Sequence, residues 1–148
     1  MEKHPYQTWF TKSQRAWDKF VDENAFFAFD EKQFEEGLDE LHVTEKDIVR
    51  AGYGMFVLKD KIDGLHQLSE NSDREMKEGM KDRDFVYDMF RSELANHEYC
   101  ITGDYTETLD ALNLTMDEVE DNPMWLEQLK KARNDYIKSM VEWEERRA

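Results

Sequence analysis

Cysteine is almost missing from this sequence. Cys100 stands alone among 148 residues, so no internal disulfide can form and the chain suits a reducing compartment; the expected location is cytoplasmic. No apolar run approaches the roughly 18–20 residues that a spanning helix needs. The opening MEKHPYQTWFTKSQ also lacks the apolar centre of a signal peptide, so neither a leader nor a membrane association is expected. Two prolines and six glycines supply little linker material, and there is no low-complexity stretch or internal repeat. Positive charge is scarce as well. Twenty Lys and Arg face 35 Asp and Glu, a net of −15, with no strongly basic region, which argues against direct nucleic-acid binding and against attraction to anionic membranes.

The residues that are present predict a folded chain. Hydrophobic residues make up 39% and aromatics 13%, too many large apolar side chains to leave in water, so a single globular domain over 1–148 is expected. The fold class is α+β and mainly helical: about five or six helices with one small β-hairpin. Pro5 suits a helix start, and Trp9, Ser13, Trp17 and Phe20 then line one face. The aromatic run Asn24–Phe29 reads as a strand or a buried turn. Asp30, with Gln33 three residues on, has capping-box spacing and opens a helix burying Phe34, Leu38 and Leu41. Ile48–Val49 and Met55–Leu58 flank Ala51-Gly52-Tyr53-Gly54 as a hairpin; its Gly-x-Gly lacks the wider phosphate-binding pattern. Residues 60–82 read as helical, with 69–73 a candidate break because Ser and Asn side chains compete for backbone bonds. A last helix from Pro123 carries Trp125, Leu126, Leu129, Tyr136, Ile137, Met140 and Val141. The expected core comprises Trp17, Phe20, Phe34, Leu38, Met89, Phe90, Leu94, Leu109, Leu126, Leu129 and Ile137.

The stretch from Phe85 to Leu114 holds most of the unusual residues. A helical stripe of Val86, Met89, Phe90, Glu93, Leu94 and His97 breaks at Thr102-Gly103-Asp104. A short helix then carries Leu109, Leu112 and Leu114 inward, with Asp104 placed as its N-cap and Glu107 at the capping-box position. Glu93 and His97, four apart, share a face, and with Asp104 they are the weak candidates for metal ligation. No second His completes a zinc motif, so no metal, cofactor or catalytic residue is assigned. Cys100 lies three residues from His97 but lacks a visible oxyanion loop, which leaves it a poor nucleophile.

The negative charge is regional. Residues 84–122 carry a net −10 and residues 23–47 a net −7, while the rest is near balance. Glu35, Glu36, Asp39 and Glu40 fall on the outer face of one helix, and two pairs of like charges sit at i,i+4. Each such pair costs a helix about 0.2–0.5 kcal/mol, so a face serving stability alone would do better with Glu–Lys pairs. Asp117, Glu118, Glu120 and Asp121 fall in what reads as an acidic loop. These eight residues are the candidate partner contacts.

The segment ELANHEYCITGDYTETLDALNLT, together with FAFDEKQFEEGLDEL, GYGMFV and REMKEGMKD, resembles a family of small acidic proteins encoded on mobile genetic elements of gut bacteria. The resemblance implies an accessory or counter-defence role, such as blocking restriction or CRISPR enzymes, and implies no activity, cofactor or catalytic residue. The leading expectation is a non-enzymatic protein that binds a basic partner, such as a nuclease or another nucleic-acid-handling protein, as a nucleic-acid mimic. Two other classes stand beside it: a small metal-dependent or hydrolytic enzyme using His97, Glu93 and Asp104, and a helical interaction or assembly module. The oligomeric state stays open.

Overall fold

A computed structural model of the chain describes residues 3–97 and 104–147. Among them are seven α-helices and three strands: α1 (Pro5–Asn24), β1 (Ala25–Phe27), α2 (Glu31–Leu41), β2 (Ile48–Arg50), β3 (Met55–Leu58), α3 (Ile62–Gly79), α4 (Arg83–Asn96), α5 (Thr106–Ala111), α6 (Met116–Glu120) and α7 (Pro123–Arg147). The fold is α+β and mainly helical. The backbone groups into two compact units, Thr11–Glu75 and Met1–Phe10 with Met76–Ala148.

The unit Thr11–Glu75 is built on an antiparallel sheet in the order β1-β3-β2. The hairpin of β2 and β3 pairs Ile48 with Leu58 and Arg50 with Phe56, and the aromatic run adds β1 on the far side, Ala25 opposite Val57 and Phe27 opposite Met55. The two-residue alternation of a strand gives the sheet two covered faces. On one, Phe26 and Ile48 pack with Phe34, Leu38 and Leu41 of α2. Phe26, Phe34 and Phe56 form an aromatic trio with centroids 5.0–5.9 Å apart. Gly37 lets α2 approach, because a Cβ there would collide with the Phe26 ring. On the other face, Ala25, Met55, Val57 and Leu65 pack with Trp17, Phe20, Val21 and Ile62. Trp17, Phe20, Phe34 and Leu38 are half-buried, since a sheet of three- and four-residue strands is too small to enclose large side chains completely.

Two local expectations fail in instructive ways. Helix α3 runs through 69–73 without a break: Ser72 Oγ lies 3.2 Å from Ser13 Oγ, and Asn71 Oδ1 accepts from Gln67 Nε2 at 2.9 Å. Those side chains therefore do not compete for the helix backbone. The segment after Thr115 is a helix, α6, where a loop was expected. Thr115 Oγ1 accepts the Glu118 N–H while Glu118 Oε1 accepts the Thr115 N–H, a complete capping box.

In the other unit, α4 is the centre. Val86, Met89, Phe90 and Leu94 are fully buried, and α4 packs most extensively on α7 through Leu129, Ala132 and Tyr136, with Leu109, Leu114, Val119, Met80 and Tyr6 closing the core. Ile137 is 39% exposed and Val141 48%, so Ile137 is not a core residue. The reason is rotation about the helix axis: Leu129, Ala132 and Tyr136 define the buried stripe of α7, and Ile137, one residue past Tyr136, is turned about 100° away from it, although α4 still runs alongside, with Arg91 bonded to Ser139. Asp82 caps α4, accepting the N–H groups of Asp84 and Phe85. Helix α4 ends at Asn96 with His97 as its C-cap; Glu98, Cys100 and the expected break at Thr102-Gly103 lie outside the described residues.

Candidate functional site

Helix α2 carries the acidic face that the sequence places there. Its ends are fixed first. Asp30 Oδ1 accepts the Gln33 N–H at 2.8 Å, and Gln33 Oε1 accepts the Phe29 N–H at 2.7 Å. At the far end His42 adopts the left-handed conformation, φ 56°, with its N–H on the Asp39 carbonyl and the Val43 N–H on the Leu38 carbonyl. With Phe34, Leu38 and Leu41 turned to the sheet, Glu35, Glu36, Asp39 and Glu40 all face solvent. The ion pairs among the described residues, His4–Asp88, Lys81–Glu78 and His97–Glu93, touch none of the four. Caps and aromatic packing thus hold a like-charged helix in shape, against the repulsion that isolated helices suffer at this spacing.

The second acidic set is less uniform. Asp117, Glu118, Glu120 and Asp121 are all exposed, on and just after α6, but Glu118 is occupied by Thr115 in the capping box. The two sets belong to different units of the chain.

Glu93 and His97 do meet, His97 Nε2 lying 3.2 Å from Glu93 Oε2. The Glu93 carboxylate is 8% exposed, and its other oxygen accepts the Tyr6 hydroxyl at 2.8 Å. The pair therefore belongs to a buried network that ties the start of α1 to α4. Burial, the bond to Glu93 and the nearby charges of Glu93 and Asp88 push the Tyr6 hydroxyl well above the usual tyrosine range. Asp104 is exposed. Its Oδ1 accepts the Thr106 hydroxyl at 2.6 Å and the Thr106 N–H at 2.8 Å, bonds that hold its carboxyl below the usual range. The N-cap of α5 is Tyr105 rather than Asp104, one residue later than expected, although the cap-like bond to Thr106 is made. Among the described residues, no group of three or more His, Cys, Asp or Glu side chains is arranged to hold a metal ion.

One buried and heavily bonded carboxylate, Asp88, was not singled out from the sequence. Asp88 is 3% exposed and accepts the Gln7 N–H at 2.9 Å and Gln7 Nε2 at 3.3 Å, with His4 Nδ1 at 3.2 Å. Gln7 lies in the first turn of α1, so Asp88 satisfies a helix-end donor and places negative charge at the positive end of the helix dipole. His4, Gln7, Asp88, Arg91 and Ser92 line a shallow cleft of about 340 Å³, in which Gln7 Nε2 also donates to Ser92 Oγ at 3.0 Å. The contact spans 81 residues; the one available signal was an aspartate inside an apolar helical stripe.

Comparison with known proteins gives one family. No curated protein and no solved structure matches the chain. Residues 7–135, most of both units, match a family of unknown function, and the chain belongs to that family, DUF7659.

Proposed function

We propose that the protein is a non-enzymatic binder of a basic partner, and that the outer face of α2 is its principal contact. One observation carries this reading: four exposed carboxylates without an ion pair among the described residues, on a helix pre-shaped by its caps and by packing on the sheet. From Glu35 to Glu40 the helix rises about 7.5 Å at about 1.5 Å per residue, so the face carries one charge per about 2.5 Å. Duplex DNA presents one per about 1.7 Å of axis. The comparable density suits a groove built for phosphates, over a short span; Asp117, Glu120 and Asp121 offer a second exposed set. A nuclease or other nucleic-acid-handling protein has the complementary charge, and blocking such an enzyme is the counter-defence role that the family resemblance implies.

The test is displacement. A fluorescein-labelled duplex bound to a purified restriction endonuclease, without Mg²⁺, is titrated with the chain, and the same is done for a panel of DNA-binding nucleases. Displacement is expected near 50 mM salt, and the chain's own affinity for the nuclease, read by calorimetry, should fall between 50 and 200 mM because exposed charge pairs are screened. Displacement should weaken by about tenfold or more in E35K/E36K/D39K/E40K. Failure to displace across the panel, or equal displacement by the charge-reversed chain, contradicts the reading.

A further inference from the structure

The hairpin end of the sheet displays three exposed aromatic rings. Tyr53 is 97% exposed and Phe29 76%. Phe27, opposite Met55 in the register, is 51% exposed. They crowd one end of the sheet: the Phe29 ring lies against Gly54, within 2.5 Å of where a Cβ would be, and Tyr53 is the preceding residue. Tyr53 also has a φ of +36°, between Gly52 at +103° and Gly54 at +79°. A bulky side chain in this region is strained, and here the strain is not offset by packing. Strain at an exposed aromatic residue points to function.

The neighbourhood of these rings says what kind of partner fits. Phe29 directly precedes Asp30, the N-cap of α2, and is bonded through its N–H to Gln33 in the first turn. The stretch Asp30–Glu40 holds six carboxylates and one lysine, Lys32; Arg50 is the cation at the end of β2. Aromatic faces beside clustered carboxylates suit guanidinium groups, which stack on rings and pair with carboxylates in the same reach.

We propose that Phe29 and Tyr53 form the anchor of the partner surface and seat arginine side chains of a basic protein segment, whose neighbouring cations pair with the acidic face of α2. This rests on the basic-partner reading and adds to it a preference for arginine over lysine.

Hexa-arginine and hexalysine peptides serve as probes of the full chain, with affinity read by calorimetry and location by amide NMR shifts. Hexa-arginine is expected to bind about fivefold or more tightly than hexalysine, as two exposed ring stackings imply. Arginine also pairs better with carboxylates, so the deciding measurement is the F29A/Y53G variant. There the arginine preference should fall by about fivefold, with hexalysine affinity falling much less than that of hexa-arginine. Both side chains are exposed, so the variant should fold, and its amide spectrum checks this directly. An unchanged preference in F29A/Y53G, with α2 amides still shifting, overturns the anchor and leaves the basic-partner reading standing. If neither peptide shifts α2, the basic-partner reading itself fails. Concentration-dependent self-association of the wild-type chain that F29A/Y53G abolishes would make the patch a contact between copies and overturn the proposal.

Discussion

The two acidic regions of this chain have similar compositions and opposite uses. Around α4, carboxylates are building material: Asp88 and Glu93 are buried and bonded to residues of α1, Asp82 caps α4, Asp104 closes onto Thr106 and Glu118 completes the cap of α6. On α2, Asp30 alone is spent on a cap, and Glu35, Glu36, Asp39 and Glu40 are left facing water. Regional net charge is therefore a poor measure of the charge a partner meets. The region with the larger sum, −10 over 84–122, commits Asp88, Glu93, Asp104 and Glu118 internally, and the smaller region groups four exposed carboxylates on one helix face.

Mutations separate the two uses. The largest effect is expected at Asp88→Ala, which strips the bonds from the Gln7 N–H and side chain and from His4; urea unfolding should show a loss of roughly 2–3 kcal/mol. Alkaline pH probes two neighbouring hydroxyl–carboxylate bonds, Tyr6 to Glu93 and Tyr87 to Asp135. The Tyr6 and Tyr87 hydroxyls both titrate above the ordinary value of 10, Tyr87 pushed to about 12 by burial and by its bond to Asp135. Because the folded state holds these protons more tightly, the stability they contribute is fully present below pH 10 and is lost as the pH rises towards the folded values. The Y6F/Y87F chain should show a flatter alkaline decline; an unchanged profile would remove the two hydroxyls from the account.

On α2 the sign reverses. Asp39→Lys with Glu40→Lys turns two like-charge i,i+4 pairs into Glu–Lys pairs near the helix C-terminus. Thermal unfolding should report a gain of about 0.5–1 kcal/mol. A loss would mean that these carboxylates are structural after all. The smallest effect is expected at Glu118→Ala, roughly 0.5 kcal/mol through the capping box, with no change expected at Glu120→Ala.

Much of the fold was legible because its signals are local. The Asp30–Gln33 spacing located the start of α2, the Gly52-Tyr53-Gly54 turn located the hairpin, and the three–four spacing of Val86, Met89, Phe90 and Leu94 located the centre of one core. What failed depended on partners distant in sequence or on competing local bonds. Asp88 meets Gln7 across 81 residues, and nothing near either residue announces it. Ile137 keeps the apolar spacing of α7, but the buried stripe is narrower than that spacing, and Ile137 falls at its edge beside the buried Tyr136. Ser72 looked like a helix breaker because its partner, Ser13, is 59 residues away. The acidic face was fully visible in the candidate site. Its aromatic neighbours were not, because exposed and buried rings read alike in sequence until Phe26 is seen facing α2 and Phe29 lying over Gly54.

The most direct measurement is the nuclease displacement titration run on two charge-reversed chains side by side, E35K/E36K/D39K/E40K and D117K/E120K/D121K. Reversal on α2 is expected to weaken displacement by about tenfold or more, with a clearly smaller loss for the second chain. Equal losses would mean that only total charge matters, and a larger loss at Asp117, Glu120 and Asp121 would move the partner surface away from α2.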